Sequence, residues 1–234
     1  MLFYHEITVW TRGIIMDKEA RDVANGLTLA ARLEGRYTQF ISDYVDAPDR
    51  TNCLIRKYGR MSDEEIKFKF IYENEQPDIV VLIEETLVKA VNYTRKTPVG
   101  QGVVVVNTHR DPEYIWRFLP DPSKVKKLVC VDACSLASES WVYEESLYDL
   151  SLDRMSTEGS AERKAVGLGV AAPLIGAIAA ATGIVKIESL EKVIGDPEGM
   201  LRGAQNFVVK ENPAFSPSPA AAGEGRGEGT LSVV

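Results

Sequence analysis

Cys130 and Cys134 stand four residues apart, and Cys53 lies far upstream. An iron–sulfur cluster takes four thiolates in tight spacing, so these three are expected to hold none. His5 and His109 are the two histidines, too distant in sequence for a triad or an HExxH metal pair. Each is expected to be a hydrogen-bonded structural residue. Glu84 and Glu85 close an apolar run, where α/β proteins place ligands, yet adjacent carboxylates cannot face one pocket as an acid–base pair. Thr11-Arg12-Gly13 follows the first apolar run and could be a phosphate turn, but such a loop needs several glycines. Here one glycine precedes Ile14, Ile15 and Met16, whose side chains would fill the phosphate's place. Asn92-Tyr93-Thr94 matches a glycosylation sequon, which has no use in the cytoplasm. No nucleophile, base and electrophile come together, which predicts a chain unable to catalyse alone.

The elements that would position these residues centre on two runs, Asp78-Ile-Val-Val-Leu-Ile83 and Gly102-Val-Val-Val-Val-Asn107. Both are apolar without alternation and bounded by breakers, the pattern of strands covered on both faces. The residues between them, beginning Glu84-Glu85-Thr86-Leu87, are long enough for a crossover helix and would complete a βαβ unit. Upstream, Phe3 to Trp10 reads as the first strand. A helix N-capped by Asp17 and ended by Gly35 follows, then a second strand over 37–41. Residues 42–50 form an acidic loop. Residues 51–58 and 66–71 read as an edge hairpin joined by Gly59-Arg-Met-Ser-Asp-Glu64.

Downstream, Asp111-Pro112 starts a short helix, 127–131 is another buried strand, and 132–141 turn into a helix. Residues 142–164 are polar, lack a period and read as an insertion. The small-residue stretch 171–183 predicts a helix stopped by Gly183, close-packed on its own sheet or on a partner subunit. A short helix capped by Ser189 and a last helix over 197–209 follow. The Pro-, Ala- and Gly-rich tail 212–234 is expected to be disordered. The sum is a mostly parallel α/β sheet with helices on both faces and an edge hairpin, in one domain over 1–211.

With 34 acidic and 27 basic residues in 234, the net charge is −7, which argues against nucleic acid. Three cysteines at irregular spacing fit a reducing compartment. No apolar run reaches membrane-spanning length without polar interruption, and the first residues lack a signal-peptide pattern. A cytoplasmic location is expected.

Five blocks, in order, carry a family resemblance: Glu34-Gly-Arg-Tyr-Thr-Gln-Phe40, Gln76-Pro-Asp-Ile-Val-Val-Leu-Ile83, Gly102-Val-Val-Val-Val-Asn107, Val131-Asp-Ala133 and the stretch from Gly176 to Lys192. Together they resemble the gamma subunit of the 2-oxoacid:ferredoxin oxidoreductases, among them pyruvate and 2-oxoglutarate synthases. The resemblance implies a Rossmann-like, non-catalytic subunit. Alpha, beta and ferredoxin-like delta subunits would hold thiamine diphosphate and the iron–sulfur clusters, ferredoxin would take the electrons, and coenzyme A the acyl group. It also implies packing on the thiamine-binding subunits and a role in walling the coenzyme A approach.

The family's glycine-rich turn after its first strand is reduced here to Arg12 and Gly13. Arg50, within Asp46-Ala-Pro-Asp-Arg-Thr-Asn52, stands in the region of its next, arginine-rich loop. Arg12, Gly13 and Arg50 are therefore the expected contacts to coenzyme A phosphates or a partner's carboxylates. The alternative is a stand-alone nucleotide-binding or interaction module, which needs the phosphate loop that the first turn lacks.

Overall fold

The structure, a computed structural model, describes residues 3–13, 15–43, 53–69, 73–137 and 169–215. Seven strands form one sheet: β1 Tyr4–Arg12, β2 Tyr37–Ser42, β3 Leu54–Ser62, β4 Ile79–Leu82, β5 Gly102–Asn107, β6 Val125–Val131 and β7 Val208–Glu211. Their spatial order is β2-β3-β1-β4-β5-β6-β7. The four central strands run parallel, Ile7 beside Ile79 and Ile79 beside Val103, while β2–β3, β3–β1 and β6–β7 pair antiparallel.

The helices are α1 Ile15–Leu33, α2 Pro112–Trp116, α3 Ala133–Leu136, α4 Ala171–Thr182, α5 Ile187–Leu190 and α6 Pro197–Gln205. Apolar runs become doubly covered strands because alternate side chains point to opposite faces. Ile79, Val81, Ile83 and Val105 meet α1 and α4 in one core. Val80, Leu82, Val104 and Val106 meet Leu87, Tyr93 and Ile115 in the other. Each such side chain contributes about 1.5–3 kcal/mol on burial, so the central strands anchor the fold.

Four expectations are corrected. The β4–β5 connection carries a 3-10 turn, Glu85–Lys89, in place of a crossover helix; Glu84 gives it no side-chain cap, and Leu87 and Val88 tuck against the sheet. The edge hairpin exists, but β2 and β3 make it, and residues 66–69 form no strand. Gly59 lies mid-strand opposite Ile7 and Phe40. A Cβ there would stand 3.1 Å from the Thr28 methyl, so the glycine lets α1 lie close over β3 instead of turning the chain. The last helix stops at Gln205 and β7 follows, closing the far edge of the sheet. Asn212, expected to open the tail, is buried: its side-chain amide donates to Pro122 O at 3.0 Å and Val125 O at 2.9 Å.

Smaller shifts follow the same logic. The first helix begins at Ile15, before Asp17, whose carboxylate pairs with the buried Lys57 ammonium at 2.6 Å. Lys186, and not Ser189, is the N-cap of α5. Gly183 does end α4, at φ +69°, a left-handed geometry that suits glycine. The 142–164 insertion, the tail beyond 215 and most of the acidic loop lie outside the described residues.

Candidate functional site

In a parallel α/β sheet, ligands gather outside the carboxyl ends of the strands, where successive connections leave for opposite faces. Here that point falls between β1 and β4. The chain leaves β1 through α1 on one face, and leaves β4 through the 3-10 turn on the other. Arg12 and Gly13 end β1, Glu84 and Glu85 follow β4, and Asn107, Thr108 and Arg110 follow β5.

Asn107 ties three strand ends together. Its amide nitrogen donates to Ile83 O at 3.0 Å, and its oxygen accepts from the Ala133 amide at 3.0 Å. The same nitrogen lies 3.6 Å from Cys134 Sγ. Glu85 accepts a 2.6 Å hydrogen bond from Thr108 Oγ1 and a 2.5 Å one from Arg110 Nε. Partial burial pushes the Glu85 carboxyl up, but the Thr108 and Arg110 donors and the Arg110 charge outweigh it and hold the group below its ordinary range. Glu85 is thus a spent, ionised tether and no proton donor. Sequence reasoning set aside Glu84 and Glu85 and did not single out Thr108 or Arg110; the signal available was a polar residue closing a wholly apolar run.

Gly13 sits at φ +72° and donates its amide to Cys53 O at 3.0 Å, which fixes the turn beside β3. Arg12 is half-buried, and its Nε is shielded from solvent with no hydrogen-bond partner among the described residues. A donor left in that state costs about 1–3 kcal/mol, so the position favours an incoming acceptor. Met16, in the first turn of α1, is buried. Arg50 and Ile14 lie outside the described residues.

The histidines stay apart: His5 Nδ1 bonds the Asp78 carboxylate, and His109 is exposed beyond β5. Burial pushes the Cys130 thiol up to about 12, whereas Cys134 is exposed and Cys53 half-buried beside the Gly13 turn. Among the described residues no three His, Cys, Asp or Glu side chains converge as a metal site. The cysteines present do not fit an iron–sulfur cluster.

A family model described as pyruvate ferredoxin/flavodoxin oxidoreductase matches residues 23–199 of this chain. The chain belongs to the pyruvate ferredoxin/flavodoxin oxidoreductase family. Within it, the pyruvate/ketoisovalerate oxidoreductases common subunit gamma of Pyrococcus furiosus is 33% identical over 174 residues, covering 74% of this chain and 77% of that one. Pyruvate synthase subunit PorC of Thermotoga maritima is 28% identical over 175 residues, 75% of this chain and 74% of its own. The crystal structure of pyruvate oxidoreductase subunit PORC from Thermotoga maritima superposes with a TM-score of 0.60 at 24% identity, over 89% of this chain and 99% of that chain. The resemblance carried by the five blocks is therefore borne out, as is the mostly parallel α/β class. Among the described residues no helix is long and apolar enough to cross a membrane.

Proposed function

We propose that this chain is the gamma subunit of a multi-subunit 2-oxoacid:ferredoxin oxidoreductase, acting on pyruvate or 2-oxoglutarate with coenzyme A, or in the reverse carboxylation. Alpha and beta subunits would bind thiamine diphosphate, a ferredoxin-like delta subunit the iron–sulfur clusters, and ferredoxin would accept the electrons. Thiamine diphosphate supplies the carbanion chemistry that decarboxylates the 2-oxoacid. This chain's part is positional. Its β1 end would line the coenzyme A approach, with Arg12 donating to a phosphate or to a partner's carboxylate and Gly13 leaving room for the contact.

The observation that carries this reading is the Arg12 Nε, shielded and without a partner among the described residues, at the switch point of a chain in this family. Arg50 is proposed as a second contact from the neighbouring loop. We further propose one α/β domain ending near residue 211, in the cytoplasm.

The test is affinity purification of the tagged chain from its native cells, followed by kinetics on the complex. Thiamine- and cluster-bearing chains should co-purify. Arg12→Ala should raise the KM for coenzyme A roughly tenfold, the cost of one charge-assisted hydrogen bond, with cluster content unchanged. Recovery of the chain as a monomer would overturn the assignment, and an unchanged KM would remove Arg12 from the site.

A further inference from the structure

On the sheet face opposite α1, a cavity of about 280 Å³ opens over β1 and β3. Trp10 and Tyr58 of the sheet line it together with Asn74, Tyr93, Arg95 and Lys96. The cavity's acceptors are already used. Asn74 Oδ1 accepts from Arg60 at 3.3 Å, and Thr8 Oγ1 accepts from Asn74 Nδ2 at 3.1 Å. Glu73 accepts from Arg56 at 3.0 Å and pairs with Lys96 at 2.6 Å.

The donors are left over. Trp10 Nε1 and the hydroxyls of Tyr58 and Tyr93 are shielded from solvent and have no hydrogen-bond partner among the described residues. Both tyrosines are only 2% exposed. Burial pushes both phenols above their ordinary range, so they stay protonated at any physiological pH. Arg56 lies 5.4 Å from the Trp10 ring centre and 5.7 Å from that of Tyr58, and so holds positive charge between two aromatic faces. Arg56 is held by Asp43 at 3.3 Å as well as by Glu73, and Lys96 by Glu73, so of the three lining cations Arg95 is the one left over. Arg95 forms no ion pair among the described residues.

Three residues that line one cavity carry orphaned donors, and one lining cation, Arg95, has no ion pair among the described residues; together they match an occupant that brings acceptors and negative charge. The volume sits just below the ~300–1,000 Å³ of drug-sized ligand pockets, which sets the occupant at metabolite size. We propose that this cavity binds a small organic anion, a carboxylate or phosphate, through the Tyr58 and Tyr93 hydroxyls, the Trp10 indole N–H and the Arg95 guanidinium. The site lies on this chain's own residues and stands whether or not the chain is a gamma subunit.

The test is calorimetric titration of the full-length chain with succinate and with glycerol 3-phosphate, at constant ionic strength held by sodium chloride. One probe or both should saturate at one site per chain, and the arm that binds assigns carboxylate or phosphate. Trp10 should report the event as a fluorescence change that Trp10→Phe abolishes. The double variant Tyr58→Phe/Tyr93→Phe should weaken binding roughly tenfold or more, since only hydrogen bonds are removed. Arg95→Gln, an exposed change that leaves the fold alone, should also weaken it, and it decides the matter if the double variant does not fold. Absence of saturable binding by both probes overturns the proposal. So does binding unaltered in Arg95→Gln and in a folded double variant.

Discussion

Glu6 and Arg60 show what one buried charge demands of its neighbours. They are 4% and 5% exposed, on paired strands, and Arg60 Nε lies 3.3 Å from Glu6 Oε1. Glu6 also accepts from the Tyr4 hydroxyl at 2.8 Å and from the Gln76 amide at 2.7 Å. Removing one partner leaves the other charge buried and uncompensated. Glu6→Ala should therefore destabilise the chain by about 3–5 kcal/mol, read as a shift in the denaturation midpoint. Glu6→Gln, which keeps the hydrogen-bonding shape, should cost less.

Cys130 sets a pH dependence. Its thiol ionises near 9.0 in the unfolded chain and is held to about 12 by burial in the folded one, with the nearby acids Asp111 and Glu85 adding to the shift. A raised folded value means the native state keeps its proton longer, so the associated stability is present below pH 9 and is lost between about 9 and 12. Alkaline unfolding should begin at lower pH in the parent than in Cys130→Ala, which has no thiol to ionise there. A thiol reagent at pH 8 should modify the exposed Cys134 well before the buried Cys130.

At the scale of elements, α4 and α6 touch backbone to backbone. A Cβ on Gly176 would stand 1.9 Å from Met200 O, and one on Gly203 would stand 2.0 Å from Pro173 O. No side-chain rotation relieves a clash with a carbonyl. Gly176→Ala or Gly203→Ala should cost about 3 kcal/mol, the upper end of overpacking, or force the helices apart; thermal melts and helix content by circular dichroism check this. The small-residue helix was expected to pack on its own sheet or on a partner. It does reach the sheet, but its closest backbone contact is a helix of the same chain. α6 in turn is fixed by Asp196, whose carboxylate accepts from the Gly199 amide at 2.8 Å after a helix-starting Pro197.

At the scale of the whole molecule, stability falls from the centre of the sheet to its edges. All four residues of β4 are buried, whereas three of the four in β7 are exposed, with Val208 at 59%. Hydrogen exchange should proceed first in β2 and β7 and last in β4 and β5, followed by mass spectrometry of peptides. Simultaneous exchange across all seven strands would contradict this gradient. Among the described residues β2 is the strand at one edge of the sheet and β7 the strand at the other, the two places where another chain could extend it.

Much of this was legible in sequence because it depends on local composition. Two runs without alternation, 78–83 and 102–107, required strands covered on both sides, and the five ordered blocks carried the family. Gly183 and Asp111-Pro112 marked helix ends by their own backbone preferences. Tertiary structure alone decided the rest. Gly59 reads as a turn until α1 is laid over β3, and the short β7 exists only because β6 offers an open edge. Arg12 is named by the resemblance, but only the fold shows that its Nε is shielded without a partner among the described residues, and the cavity lined by Tyr93 joins residues from four separate stretches. Strands and caps follow from neighbours within a few residues, whereas close approach, orphaned donors and enclosed space depend on which distant segments meet.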